Sequence, residues 1–412
     1  LLSTFSKLLE KLIKIRLLNF LNKYSIITKQ QHGFISNKST TTATTELVNY
    51  ILEQLNQKKY VLGLFCDLTK AFDLVDHNIL FRKLEHYGIR GTSLEIFKSY
   101  LQNRQQMVEI VHEENGNCRK FRSRSKYIRQ GVPQGSILGP VLFLIYINDL
   151  PENIPEAQCI LYADDTNILT TDKSTKQLHK KLTQVVDNLK LWLSLNKLIL
   201  NEAKSHCVLF HTRQNCKLKN EVENNIIKFK LSKEIKFLGI IFNENLTWHS
   251  HIQTLTKTLN SKIFALKILT NTLDTNSLIQ VYYAVFHSLI RYGIIFWGSS
   301  NAIDEIFKKQ KQAVRIITNL KNRATCREQF ERTKILTVPC VYIYELALHI
   351  KKYYSNTHAK EHAYNSRQKN ILETYFTRLS LVQQGPLHMG IKIYNKLPKN
   401  IKSEDCTTRF GK

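Results

Sequence analysis

The stretch that most constrains the fold is Tyr162-Ala163-Asp164-Asp165, held between the apolar runs Cys159-Ile160-Leu161 and Ile168-Leu169. Two short apolar runs around a polar gap predict a β-hairpin with both acids at its tip. Adjacent carboxylates repel each other, so such a tip calls for positive charge. A hard divalent cation such as magnesium, which prefers oxygen ligands, meets that need. Upstream, Val61-Leu62-Gly63-Leu64-Phe65-Cys66 is a continuous apolar run that predicts a strand buried on both faces. It ends in Asp67, and a strand end presents a carboxylate rigidly. If the two strands are neighbours, Asp67, Asp164 and Asp165 meet.

Charge says what such a site acts on. The 412 residues include 60 Lys and Arg against 33 Asp and Glu, a net charge of +27 spread along most of the chain. That excess points to a polyanionic partner, most simply nucleic acid, with a plain basic surface as the alternative. The length and the 43% hydrophobic content allow about two to three domains with a substantial core. The eight cysteines (Cys66, Cys118, Cys159, Cys207, Cys216, Cys326, Cys340 and Cys406) form no C-x-x-C pair. Several lie in apolar strands as small hydrophobes, which reads as a reduced intracellular chain and not a disulfide scaffold. Cys207, His211 and Cys216 match no familiar zinc spacing, and they read as structural, as do His249 and His251. No apolar run is long enough to span a bilayer, and the first residues read as an amphipathic helix and not as a signal peptide. The start at Leu1 without Met and the end at Lys412 read as a fragment of a longer protein.

In chain order, Leu8, Leu9, Leu12, Ile13, Ile15, Leu17 and Leu18, with lysines between them, predict a first helix. Gly33 suits a tight turn, and Ser36 to Thr40 suit the cap of a helix through Leu47, Val48, Ile51, Leu52 and Leu55. Lys38 reads either as a solvated loop residue or as a phosphate or template contact. After Asp67, Phe72 opens a predicted helix through Ile79, Leu80 and Leu84, with Asp73 and Asp76 placed to cap it or complement its dipole. Residues 89–130 alternate helix-like and strand-like pieces and hold the densest basic stretch, Arg119 to Arg129. Gly131-Val132-Pro133-Gln134-Gly135-Ser136 is a turn before an apolar helix, Val141 to Ile147. Glycine there lets a ligand approach the backbone, Gln134 offers donor and acceptor groups to a base pair, and Ser136 suits a cap.

Past the hairpin, Ser174-Thr175-Lys176-Gln177 has the form of a capping box. It opens an amphipathic helix whose face is Leu178, Leu182, Val185, Val186, Leu189, Trp192 and Leu193. Short strands follow around Ser205–Phe210 and Ile235–Phe242. The pattern is α+β, helices packed on one side of an antiparallel sheet. From Trp248 the chain reads as mostly helical, with a stripe Ile252, Leu255, Leu259, Ile263 and a buried helix from Leu278 to Ile290. Residues 302–320 form a basic amphipathic helix, and 355–370 a polar loop.

Three acids and a basic surface suit a two-metal phosphoryl-transfer site, and on composition and spacing alone a phosphatase or nuclease stays open. The motifs narrow this. Phe65-Cys66-Asp67-Leu68-Thr69-Lys70-Ala71-Phe72-Asp73 resembles the first palm motif of reverse transcriptases, Gly131 to Ser136 the second, and Tyr162 to Asp165 the third. Asn196-Lys197 through Lys204 resembles the next, and Phe237-Leu238-Gly239 the primer grip. Five motifs in order are specific, and the likeness is greatest to non-LTR (LINE-type), jockey-like retrotransposons. It covers most of the chain.

The resemblance implies an RNA-directed DNA polymerase with a right-hand architecture of fingers, palm and thumb. Its reverse transcriptase domain would be 1–242, with fingers in 1–60 and palm plus an inserted fingers segment in 61–242. The thumb would be 243–330 and a further C-terminal region 331–412. It implies that Asp67 and Asp164 hold two Mg2+ ions, with Asp165 as a secondary ligand. Leu68 and its neighbours would lie near the triphosphate, Phe72 would crowd a ribose 2′-hydroxyl, and Gln134 and Gly135 would position nucleotide and template. Lys204 would protonate the departing pyrophosphate, and Lys38 stands where arginine is common in the family. An RNA template, a DNA primer and dNTPs are the implied partners, with no membrane; the sequence leaves the oligomeric state open. The implied location is the nucleus, with a cytoplasmic ribonucleoprotein stage. Two rivals remain: another templated polymerase, against which Phe72 argues, and a catalytically weak or inactive nucleic-acid-binding relic.

Overall fold

The apolar run before Asp67 is β1 (Tyr60–Cys66), buried at every residue. It lies in the middle of a five-stranded sheet of order β6-β7-β1-β8-β9. The other strands are β6 (Gln158–Tyr162), β7 (Asp165–Asp172), β8 (His206–Phe210) and β9 (Lys230–Leu231). β6 and β7 pair antiparallel, but β8 and β9 pair parallel, so the sheet is mixed and not wholly antiparallel as the pattern predicts. A central strand touches a strand on each edge and layers on both faces, which explains why β1 lacks any polar alternation.

The computed structural model describes residues 4–114, 117–212, 229–321, 324–354, 371–374, 376–398 and 401–402. Cys216, Cys406 and the polar stretch 355–370 lie outside them. The described residues fall into two units, drawn from Leu1–Ala43, Val61–Leu209 and Lys217–Ser232 in the first and from Thr44–Tyr60, Phe210–Cys216 and Lys233–Lys412 in the second.

The first unit holds the sheet. Its helices are α1 (Thr4–Lys23), the start of α2 (Thr40–Asn56), α3 (His77–His86), α4 (Thr92–Leu101), α5 (Gly139–Ile147) and α6 (Thr175–Leu195). α5 is apolar all round and buried from Val141 to Ile147, each such side chain contributing roughly 1.5–3 kcal/mol. The face predicted for α6 is the face it buries, Leu178 through Leu193. The predicted capping box does not form: the Ser174 side chain makes no cap bond, and its backbone N–H goes to Asp172 Oδ1 at 3.0 Å. α3 begins at His77, so Phe72 and Asp73 precede it in a turn. Asp76 alone caps it, its Oδ1 accepting from the N–H groups of Asn78 and Ile79 at 3.0 and 3.1 Å.

α1 departs from the simple amphipathic reading. Leu8, Leu9 and Leu12 are exposed, whereas Glu10 is buried with Leu17 and Leu21. Between α4 and α5 run β2 (Gln105–Gln106), β3 (Glu109–Glu114), β4 (Asn117–Arg122) and β5 (Lys126–Tyr127). β3 and β4 form an exposed hairpin in which Glu109 pairs with both Lys120 and Arg122.

In the second unit, the stretch around Ile235–Phe242 is a hairpin of β10 (Glu234–Phe237) and β11 (Ile240–Asn243). Leu238 and Gly239 turn it with φ of 44° and 82°, the double positive φ of a tight two-residue turn. Helix α7 (His249–Leu269) buries the predicted stripe Ile252, Leu255, Leu259 and Ile263. The run predicted as a buried helix from Leu278 to Ile290 buries one face, Leu278, Tyr282, Phe286 and Ile290, and includes a π-helical segment at Tyr283–His287. The basic helix is Ile303–Ile317, and Val338–Tyr353 packs with Pro386–Lys396. Among the described residues no helix is long and apolar enough to cross a membrane.

Candidate active site

The β6–β7 register pairs Tyr162 with Asp165, leaving Ala163 and Asp164 as the turn. Ala163 takes φ 55°, which such turns require and which a side chain resists. β7 is the neighbour of β1, and the Thr170 hydroxyl donates to the Leu62 carbonyl at 3.2 Å. Asp67 leaves β1 beside β8. Its N–H donates to Ser205 Oγ at 3.1 Å, its carbonyl accepts from Asn201 N–H at 2.8 Å, and its Oδ2 accepts from Asn201 Nδ2 at 3.2 Å. Asn201 and Ser205 are therefore the residues that orient Asp67, a role that the sequence reading missed.

The three carboxylates share one electrostatic neighbourhood. Burial raises Asp164 above its ordinary range; its own backbone N–H pulls the other way, and the Asp67 charge adds to the rise. Asp165 is pushed up to about 6, first by the surrounding protein and then by the charges of Asp164 and Asp67, although its residue keeps an exposed edge. Mutual repulsion between oxygen donors is the chemistry that a hard cation relieves. Among the described residues no group of three or more His, Cys, Asp or Glu side chains is placed to hold a metal ion. Magnesium does not need one, since it is commonly held by one or two carboxylates with water and substrate phosphates completing the shell. The donor set fits such an ion.

A second cluster forms where the first and second motifs meet. Gly131 N–H donates to the Val75 carbonyl at 2.7 Å and Val132 N–H to the Phe72 carbonyl at 2.8 Å. His77 Nε2 lies 2.8 Å from the Gly131 carbonyl. This seats Gln134 beside Asp73, and Gln134 Nε2 donates to Asp73 Oδ1 at 2.9 Å. Asp73 is thus a holder of Gln134 and not a helix cap. The Phe72 ring stacks on Phe143, centroids 4.5 Å apart at 26°. Gly135 is exposed at φ 78° with open space on its Cβ side. Leu68 is buried and bridges Leu200, and Thr69 N–H donates to the Ile199 carbonyl at 2.9 Å. The loop is also gripped from α1: the buried Glu10 accepts from the N–H groups of Ile137 and Leu138 at 2.7 and 3.2 Å. Ser136 Oγ accepts from Gly139 N–H at 3.0 Å and donates to the Pro133 carbonyl at 2.7 Å, bracing the turn, whereas the N-cap position predicted for it is taken by Leu138, which makes no side-chain cap bond.

Two lysines stand apart from these contacts. Lys38 donates from its ammonium to the carbonyls of Lys29 and Gln31, the latter at 2.8 Å. Lys204 is exposed on the turn that follows Asn201. In the second unit Tyr292 hydroxyl donates to the Leu238 carbonyl, fixing the β10–β11 turn. That unit also contains a cavity of about 930 Å³ lined by His211, Asn245, Trp248 and Phe296, and none of the predicted site residues lines it.

Residues 1–242 match the family described as reverse transcriptase (RNA-dependent DNA polymerase). Among curated proteins, the chain is 28% identical over 337 residues to the probable RNA-directed DNA polymerase from transposon BS of Drosophila melanogaster, covering 77% of this chain and 36% of that protein. It is 29% identical over 308 residues to the RNA-directed DNA polymerase from mobile element jockey of the same fly, covering 72% and 32%. The chain thus spans about a third of the length of these relatives. Among solved structures, telomerase from Candida albicans in complex with a fragment of telomeric RNA aligns with a TM-score of 0.42 at 11% identity, over 80% of this chain and 58% of that one.

Proposed function

The chain belongs to the reverse transcriptase family, and on that premise we propose that it is the RNA-directed DNA polymerase of a non-LTR, jockey-like retrotransposon. It adds dNTPs to the 3′-hydroxyl of a DNA primer along an RNA template. The observation that carries this reading is the electrostatic coupling of Asp67, Asp164 and Asp165 at the ends of adjacent strands. The family implies a divalent metal cofactor, and here the reading is a pair of Mg2+ ions held by Asp67 and Asp164, with Asp165 as secondary ligand. When bound, such ions activate the attacking hydroxyl and neutralise charge on the phosphates.

The chain's own residues supply the rest. Phe72, braced by Phe143, leaves no room for a ribose 2′-hydroxyl and so selects dNTPs. Gln134, oriented by Asp73, and Gly135, open on its Cβ side, position nucleotide and template. The backbone at Leu68 faces the triphosphate, and Lys38 exchanges its carbonyl partners for phosphate oxygens. Lys204 donates a proton to the departing pyrophosphate. Fingers occupy 1–60, palm 61–242, thumb 243–330 and a further region 331–412. The chain works in the nucleus after a cytoplasmic ribonucleoprotein stage.

Primer extension on an RNA template, with and without Asp164→Ala, tests the reading. Extension with dNTPs that vanishes in the variant is expected. Equal use of rNTPs would favour an RNA polymerase, and product that persists in Asp164→Ala would remove the metal site. Salt-sensitive RNA binding without any extension would mark a relic.

A further inference from the structure

Gln31 is 1% exposed, in a chain segment that the motifs leave without a role. Its side-chain Oε1 accepts two N–H bonds, from Gly33 at 2.8 Å and from Ala163 at 3.0 Å. The second bond is the informative one. In a two-residue hairpin the turn N–H groups have no acceptor inside the hairpin, yet Ala163 is 5% exposed, so water does not serve it freely. Gln31 fills that need at the residue immediately before Asp164.

Gln31 is itself held rigidly. Its flanks pair with β6 through Leu161 N–H to the Gln30 carbonyl at 3.0 Å and His32 N–H to the Leu161 carbonyl at 2.8 Å. The segment lies flush on the turn: a Cβ on Gly33 would come 2.5 Å from Ala163 N. Gln31 Nε2, by contrast, is buried without a hydrogen-bond partner. Leaving a buried donor unpaired is unfavourable, so the amide is kept for its oxygen. A neutral acceptor also adds no negative charge beside Asp164 and Asp165, and a Glu in the same buried place would be held protonated and neutral by burial and by those acids, its carbonyl oxygen still free to accept.

We propose that Gln31 is a positioning residue for polymerisation: it clamps the Ala163 N–H, fixes the left-handed turn, and thereby holds Asp164 in place beside Asp67. This rests on the polymerase reading above. The test compares Gln31→Met, which keeps the volume and loses the acceptor, with Gln31→Glu, which keeps the acceptor, in the full chain. Gln31→Met is expected to lower kcat on primed RNA by on the order of tenfold to a hundredfold, with the KM for dNTP changed by about twofold or less. Gln31→Glu recovers kcat to within about threefold of the parent. Hydrogen–deuterium exchange of the peptide containing Ala163 quickens in Gln31→Met but not in Gln31→Glu. Unchanged kcat in Gln31→Met, or equal losses in both variants, overturns the proposal, the latter because only packing would then matter. If the parent chain itself extends no primer, the polymerase reading fails. The exchange comparison still decides whether Gln31 clamps the turn, and equal exchange in the parent and both variants overturns that.

Discussion

The two neighbouring aspartates of the hairpin tip have unequal surroundings, and this sets a testable pH dependence. Asp165 titrates near 6 in the folded chain, against an ordinary value of 3.8. Between those values the folded state binds a proton that the unfolded state has released. Without metal, therefore, the chain loses stability as pH rises from about 4 through about 6. Asp165→Asn removes that loss. Thermal unfolding in EDTA should show Asp165→Asn with a higher Tm than the parent at pH 8, and the gain should shrink towards pH 5. A Tm gain that is the same at both pH values would show that the carboxylate is not under the pressure of its neighbours. Other polar residues changed meaning at this scale. Asp73 has the look of a helix-start acid in sequence, yet it holds Gln134 because α3 begins only at His77. Glu10 sits in an apolar pattern and is buried, since its carboxylate satisfies two backbone N–H groups of another segment.

Among the elements, the loop before α5 depends on one backbone conformation. Gly131 takes φ 89°, and an added Cβ would stand 2.8 Å from the Asp73 carbonyl oxygen. The close approach is what lets Gly131 and Val132 bond to the Val75 and Phe72 carbonyls. Gly131→Ala is expected to cost about 1–3 kcal/mol, from strained φ and the displaced carbonyl together. A lowered urea midpoint at unchanged m-value would show this, and an unchanged midpoint would show that the loop relaxes freely. The effect should extend to catalysis, because Gln134 loses its register with Asp73. Periodicity reported the elements themselves well. α5, α6, β1 and β8 follow their apolar patterns, since each buries a face or its whole surface. The Ser174 box failed because the N–H it would have used on Ser174 found Asp172 instead.

At the scale of the whole molecule, the net charge of +27 dominates. Lysine and arginine that neutralise phosphates release counterions, so binding to nucleic acid should weaken steeply with salt. If about six to ten phosphates are contacted, affinity for a primed RNA should fall by about 10³–10⁵ between 50 and 200 mM salt. Fluorescence anisotropy across that range measures the slope. A nearly flat slope would show that the basic residues form a solvated surface and not a phosphate track. The buried thiols play no part in this: burial raises Cys66, and it raises Cys159 and Cys207 to about 12, which keeps them protonated and inert.

The sequence alone determined the hairpin, the strand that carries Asp67 and the family, because these rest on local patterns: apolar runs, a polar gap and short motifs in order. Only the tertiary structure decided which polar groups support them. Gln31 on Ala163, Asn201 on Asp67, Asp73 on Gln134 and Glu10 on Ile137 are each paired across long stretches of chain. A buried polar side chain has no periodicity to betray it. Its partner is whichever backbone or side-chain group the fold leaves unsatisfied, and that becomes known only when the segments meet.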